Sequence, residues 1–191
     1  FGEKLGIALP GEQDGLMPTK RWKRERLDKP WHQGETLLAG IGQGYVLSTP
    51  LQLGIMIARL VNGGIAIKPR LTKSITPSSR DQNNPHRRDF PSIGISSFHL
   101  NLIKDAMIDA VNSPKGTAFR SRIFARNRRM GGKTGTVQVR RISKSEREQG
   151  VKKNENLEWK KRDHALFVGF APIESPKYAT AIVVEHGGSG S

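Results

Sequence analysis

Gly131-Gly132-Lys133-Thr134-Gly135-Thr136, continued by Val137-Gln138-Val139, decides how this chain is read. It follows a helical region and precedes two apolar runs, so Lys133 to Val139 is expected as a short strand opening the last third of the chain. Lys133 supplies a fixed cation that can attract a carboxylate and tune a nearby nucleophile. Thr134 and Thr136 offer hydroxyls to the same carboxylate. Gly135 withholds a side chain, so an extended backbone can lie against the strand. The Thr136 N–H can then point at a carbonyl oxygen as it becomes an oxyanion. Such a donor is worth ~2.7–4 kcal/mol in a transition state.

Working outward, Ala165 to Ala171 and Tyr178 to Glu185 are apolar runs joined by Pro172-Ile173-Glu174-Ser175-Pro176-Lys177, a hairpin connection. Runs apolar on both faces predict a sheet covered on both sides. Two helices precede it. Thr49-Pro50-Leu51-Gln52 is a capping box with proline at the first helical position, and Asn62-Gly63-Gly64 is the stop signal. Leu51, Leu53, Ile55, Met56, Ile57, Ala58, Leu60 and Val61 fill nearly every face between them, which predicts a buried helix. Ser96 or Ser97 caps the second. Its expected core stripe is Ile103, Ala106, Met107, Ala110 and Val111, with Lys104, Asp105 and Asp109 wet. Helices followed by an antiparallel meander give an α+β fold. Three stretches follow: a loop-rich segment over 1–45, a mainly helical one over 46–130, and the strand-bearing one over 131–191. Trp22 and Trp31 are expected to anchor the first. Residues 72–95 are polar and proline-rich, a surface excursion.

The 191 residues suit one domain and hold no Cys, which excludes disulfides, thiolate metal sites and a Cys nucleophile. No apolar run approaches the ~20 residues of a membrane span. Lys and Arg number 32 against 17 Asp and Glu, a net charge of +15. The charge clusters at Lys20–Lys29, Arg120–Arg129 and Arg140–Arg162. The last of these has little apolar periodicity and is expected as a long solvated loop. No aromatic and basic interleaving resembles a base-stacking platform, which argues against nucleic acid as a partner. His32, His86, His99, His164 and His186 lack metal-ligand spacing, so they are read as ordinary surface or loop histidines and no metal is assigned. Gly40-Ile41-Gly42-Gln43-Gly44 lacks a following Gly-Lys-Thr and is read as a tight turn rather than a phosphate loop.

Lys-Thr-Gly belongs to the signature set of penicillin-binding proteins and class A β-lactamases. Further motifs agree, in order: Gly6-Ile7-Ala8-Leu9-Pro10-Gly11-Glu12, Gly15-Leu16-Met17-Pro18, Pro30-Trp31-His32-Gln33-Gly34-Glu35-Thr36, Gly40-Ile41-Gly42-Gln43-Gly44-Tyr45 and Thr49-Pro50-Leu51-Gln52. Pro114-Lys115-Gly116-Thr117-Ala118, Arg162-Asp163-His164 and Glu185-His186-Gly187-Gly188 complete the set. On these residues the chain resembles, almost end to end, the elongation-type class B penicillin-binding proteins, the penicillin-binding protein 2 family. The resemblance implies a β-lactamase/transpeptidase-like fold, an antiparallel sheet flanked by helices with the Lys-Thr-Gly strand at an edge. It implies a peptidoglycan D,D-transpeptidase acting through a Ser acyl-enzyme on D-Ala-D-Ala stem peptides and blocked by β-lactams, with no cofactor. Lys133, Thr134, Gly135 and Thr136 would bind substrate or inhibitor, and Lys133 and the Thr136 N–H would be catalytic. A membrane glycan polymerase and an elongation-complex scaffold are the implied partners, at the periplasmic face of the inner membrane.

No Ser in the chain has Lys three residues on, and none has Asn two residues on. The family's nucleophile and its second motif are therefore expected upstream, and the chain corresponds to the C-terminal half of a transpeptidase domain. Alone it is expected to resist acylation and to leave one strand edge and part of a core bare. Two rivals are a β-lactamase of the same fold, for which no deacylating base is identifiable, and a basic nucleic-acid-binding module.

Overall fold

The computed structural model describes residues 1–7, 9–71, 90–140 and 142–190. Most of the expected 72–95 excursion, and with it His86, lies outside them. The chain forms two compact units, Phe1–Gln52 with Lys68–Ile75, and Leu53–Ile67 with Thr76–Ser191.

In the first unit two eight-residue helices, α1 (Lys20–Leu27) and α2 (Gln33–Gly40), occupy the stretch expected to be loop. α1 escapes a search for apolar periodicity because its sequence, KRWKRERL, has no apolar stripe and its one buried side chain is Lys23. That ammonium donates to both carboxylate oxygens of Glu35 on α2, at 2.5 and 2.6 Å. Glu35 also accepts from the His32 N–H at 2.7 Å, so one carboxylate closes the start of α2 and ties it to α1. Thr19 caps α1 by accepting from the Trp22 N–H. The two tryptophans anchor this region as expected: Trp22 packs on Tyr45, and Trp31 Nε1 donates to Thr36 Oγ1. The expected tight turn follows α2, with Gly42 and Gly44 at positive φ and the Gly42 and Gln43 N–H groups returning to Ala39 and Leu38.

Helix α3 (Pro50–Val61) begins on the expected box. The Gln52 N–H donates to Thr49 Oγ1, and the Thr49 N–H donates to Gln52 Oε1. The same Gln52 amide donates to the carbonyls of Glu3 and Asp14, so the cap also fastens the N-terminal segment. Gly15 makes room for this: a Cβ there would lie 2.5 Å from the Leu47 carbonyl oxygen and 2.8 Å from Gln52 Oε1. The expectation of a buried α3 is corrected. Of its apolar residues only Ile57 is fully buried; the rest are half-exposed, although Met56, Leu60 and Val61 pack against the core beside it.

In the second unit Ser96 caps α4 (Ser97–Asn112) by accepting from the His99 N–H. Its buried face is Leu100, Met107 and Val111, so the expected stripe is rotated: Ile103 and Ala106 are exposed. The sheet is β1 (Gly131–Val137), β2 (His164–Ala171) and β3 (Tyr178–Val184), antiparallel in the order β1-β2-β3. Both faces of the glycine pair opening β1 are crossed by rings. A Cβ on Gly131 would stand 2.6 Å from Phe170 Cζ, and one on Gly132 would run into the Phe167 ring and lie 2.7 Å from the Val168 carbonyl oxygen. The core joins Ile57 of α3, Met107 of α4, Phe170 of β2 and Ile173, with Val168 and Ile108 against them. On the far side β3 is largely bare: Tyr178 is 72% and Val184 53% exposed. This corrects the expectation of a sheet covered on both sides and agrees with that of an incomplete fold, since no described strand pairs with the outer edge of β3. The segment after β1 is corrected too. It holds a short helix, α5 (Lys144–Gln149), capped by Ser143 and clasped by a two-bonded Arg140–Glu146 pair at 2.6 Å.

Candidate functional site

β1 is an edge strand, and its register fixes where each side chain of the Lys-Thr-Gly-Thr run stands. Lys133 pairs with Val168 and Gly135 with Leu166, while Thr134 pairs with Phe167 and Thr136 with Ala165. Alternation along a strand therefore sends Lys133 to one face and both threonines to the other. The four predicted residues stay together along one stretch, with Lys133 and Thr136 exposed and Thr134 and Gly135 half-buried. Lys133 is exposed, and its ammonium donates to the Thr134 carbonyl at 2.7 Å. N–H and C=O groups of alternate residues point the same way along an extended strand, so the Thr136 N–H points to the side of that carbonyl.

The two hydroxyls are not equivalent. Thr136 Oγ1 accepts from the Gly190 N–H at 3.4 Å. Gly190 lies so close over the strand that a Cβ on it would stand 2.6 Å from the Leu166 carbonyl oxygen. Thr134 Oγ1 instead faces Thr117 Oγ1 at 2.9 Å. Sequence reading assigned neither contact.

Two more motifs meet at the far end of β1. Asp163 accepts from the Val139 N–H and from the Asn154 amide, its own N–H donates to Asn154 Oδ1, and its carbonyl accepts from the Gly188 N–H. His164 and His186, expected as ordinary surface or loop histidines, are half-buried here, with ring centroids 4.7 Å apart. The His186 N–H donates to His164 Nδ1 at 2.8 Å, and His186 Nδ1 lies 3.0 Å from the Arg162 carbonyl. These contacts hold the turn that leads to Gly190. The two histidines thus tie the start of β2 to the turn after β3; the only signal for it in the sequence was that both lie in motifs.

The stretch of sequence that contains β1 carries one sign of charge. Residues 110–145 contain Lys115, Arg120, Arg122, Arg126, Arg128, Arg129, Lys133, Arg140, Arg141 and Lys144 and no Asp or Glu. Arg129 is paired with Glu174 at 2.8 Å, and Arg140 with Glu146. Those two guanidiniums hold the Glu174 and Glu146 carboxyls below the ordinary range. Lys144 is paired with Glu148 at 3.9 Å. The excess of cations over carboxylates in this stretch makes the strand's approach attractive to an anion.

Comparisons with known proteins agree with this geometry. The model of the penicillin binding protein transpeptidase domain matches residues 1–191. The chain is 38% identical over 193 residues to the peptidoglycan D,D-transpeptidase MrdA of Escherichia coli K12, covering 100% of this chain and 29% of that protein. It is 36% identical over 200 residues to MrdA of Acinetobacter baumannii, covering 100% and 28%. Among solved structures, PBP2 of Pseudomonas aeruginosa in complex with WCK 5153 superposes with a TM-score of 0.77 at 37% identity, covering 100% of this chain and 38% of that one. The Helicobacter pylori PBP2 in its complex with MreC gives 0.77 at 31% identity, covering 98% and 30%. The chain thus spans under a third of the length of the curated relatives it matches. Matched over its whole length, it belongs to the penicillin-binding protein transpeptidase domain family.

Proposed function

We propose that this chain is the C-terminal part of a peptidoglycan D,D-transpeptidase domain and supplies its substrate-gripping strand. The observation that carries the proposal is the edge position of β1 with Lys133 exposed on it. A D-Ala-D-Ala stem peptide, or a β-lactam in its place, lies along the free edge with its terminal carboxylate toward Lys133 and Thr134. The Lys133 ammonium leaves the Thr134 carbonyl for that anion, exchanging a neutral acceptor for a charged one. A serine from residues outside this chain attacks the amide carbonyl. The negative charge that develops on the carbonyl oxygen is met by the Thr136 N–H, a donor already fixed by the strand. Collapse expels D-Ala and leaves the acyl group on the serine. An amine of a neighbouring strand then takes the acyl group and completes the crosslink. A β-lactam stops at the acyl-enzyme.

The solved relative bound to MreC suggests the same class of scaffold as partner for the whole protein. A membrane glycan polymerase as second partner follows from the family resemblance alone. No helix among the described residues is long and apolar enough to cross a membrane. A place at the periplasmic face of the inner membrane rests on the relatives alone. Intact-mass spectrometry after incubation with benzylpenicillin tests the proposal. The whole protein should gain one penicilloyl adduct, and the 191-residue chain alone none. An adduct on the isolated chain, or its absence from the whole protein, contradicts it.

A further inference from the structure

We propose that Thr117 is a positioning residue that orients the Thr134 hydroxyl toward the ligand's carboxylate. The inference rests on the function proposed above, in which β1 grips that carboxylate. A hydroxyl has one proton and two lone pairs. When Thr134 meets an anion, its proton must point at the anion, and the hydroxyl 2.9 Å away on Thr117 must then be the donor between the two. The order becomes Thr117 O–H to Thr134 Oγ1, and Thr134 O–H to carboxylate. Donation into Thr134 polarises its own O–H, which strengthens the second bond. It also removes the rotamer freedom that a lone surface threonine would lose on binding.

The backbone around Thr117 is built to hold that donor still. Gly116 is pressed on the last turn of α4, where a Cβ would stand 2.6 Å from the Asp109 carbonyl oxygen and closer still to that of Ala110. The Gly116 N–H donates to the Ser113 carbonyl at 2.8 Å, and the Ala118 N–H donates to the Ala110 carbonyl at 2.9 Å. Ala118 itself is buried. Thr117 is therefore pinned between two fixed residues, with its hydroxyl reaching β1 across 17 positions of sequence. The Thr136 hydroxyl accepts instead from a backbone N–H, that of Gly190, over a longer 3.4 Å.

The test measures second-order acylation rate constants of the whole protein with benzylpenicillin and with its methyl ester, which lacks the anion. Thr117→Val keeps the shape without the hydroxyl, Thr117→Ala is a second hydroxyl-free variant, and Thr117→Ser keeps the donor. With benzylpenicillin, Val and Ala should slow acylation by about 3- to 10-fold, the range of one hydrogen bond, and Ser by less than about twofold. With the ester, and in a Thr134→Val background, the Val penalty should vanish. Unchanged rates in Val and Ala overturn the inference, as does a penalty that is equal for both ligands or persists without the Thr134 hydroxyl. If the wild-type protein does not prefer the acid to the ester, the carboxylate-gripping role of β1 falls first and this inference with it. A wild-type preference that survives in every Thr117 variant removes only Thr117.

Discussion

Asn112, the last residue of α4, holds the residue that precedes β1: its side-chain amide donates to the Met130 carbonyl at 2.9 Å and to the Ile108 carbonyl of its own helix at 2.8 Å. One amide thus ends the helix and sets where the strand begins. Thr117 makes the second tie, four residues further along β1's side of the contact, at Thr134. Between the two ties lies Lys133.

Replacing Asn112 should therefore cost stability and loosen the strand. Asn112→Leu keeps the volume but removes the side-chain donor to the partly buried Met130 carbonyl, a loss of about 1–3 kcal/mol. The Ile108 carbonyl keeps its helical bond from the residue 112 N–H. Chemical denaturation of the whole protein checks this through the shift in midpoint. A midpoint equal to wild type would show that water replaces the amide at no cost.

The glycines before Lys133 answer to packing. Gly132→Ala drives a methyl group into the Phe167 ring and against the Val168 carbonyl oxygen, at 2.7 Å. The ring can move but the carbonyl belongs to the sheet, so the substitution should destabilise by about 1–3 kcal/mol. Phe167→Leu in the same chain should restore only part of that loss. The thermal midpoints of the single and double variants read this out directly. Full rescue would mean that the ring alone sets the limit.

Acid should loosen the first unit through Glu35. The His32 N–H, and after it the Lys23 ammonium, hold this carboxyl below the ordinary range. A carboxyl lowered by folding contributes its full stabilisation above the unfolded value, near ~4.3, and loses it as pH falls through the folded value. Nothing should change from neutrality down to about pH 5, and the unit should weaken below that. Trp22 and Trp31 report on it by fluorescence. Glu35→Gln should be less stable at pH 7, leaving the buried Lys23 without its anion, and should show a flatter profile in acid. Identical acid profiles for the two proteins would assign the transition to other carboxylates.

The sequence made some elements legible and hid others for definable reasons. β1, β2 and β3 lie within two residues of where apolar runs and turn signals place them, and the α3 box forms both of its reciprocal bonds. α1 was hidden because it is held by a buried Lys23–Glu35 pair, which carries no apolar signal. α5 was hidden by the polarity around it, although Ser143 with Glu146 three residues on is a capping pattern. On α4 the sequence supplies more apolar positions than the fold buries, and only the packing of Leu100, Met107 and Val111 chooses the face. At the candidate site the four residues of the strand could be read from one motif. The partners of its two hydroxyls, Thr117 and Gly190, could not, because they arrive through tertiary contacts.

The most direct test of the central claim, that β1 grips an anion through Lys133, is the rate at which a fluorescently labelled penicillin acylates the whole protein carrying Lys133→Ala. Removing a charge-assisted bond of this kind should slow acylation by on the order of 10- to 100-fold while the thermal midpoint stays in place, because the side chain is exposed. A rate within twofold of wild type, with the fold intact, would contradict the account.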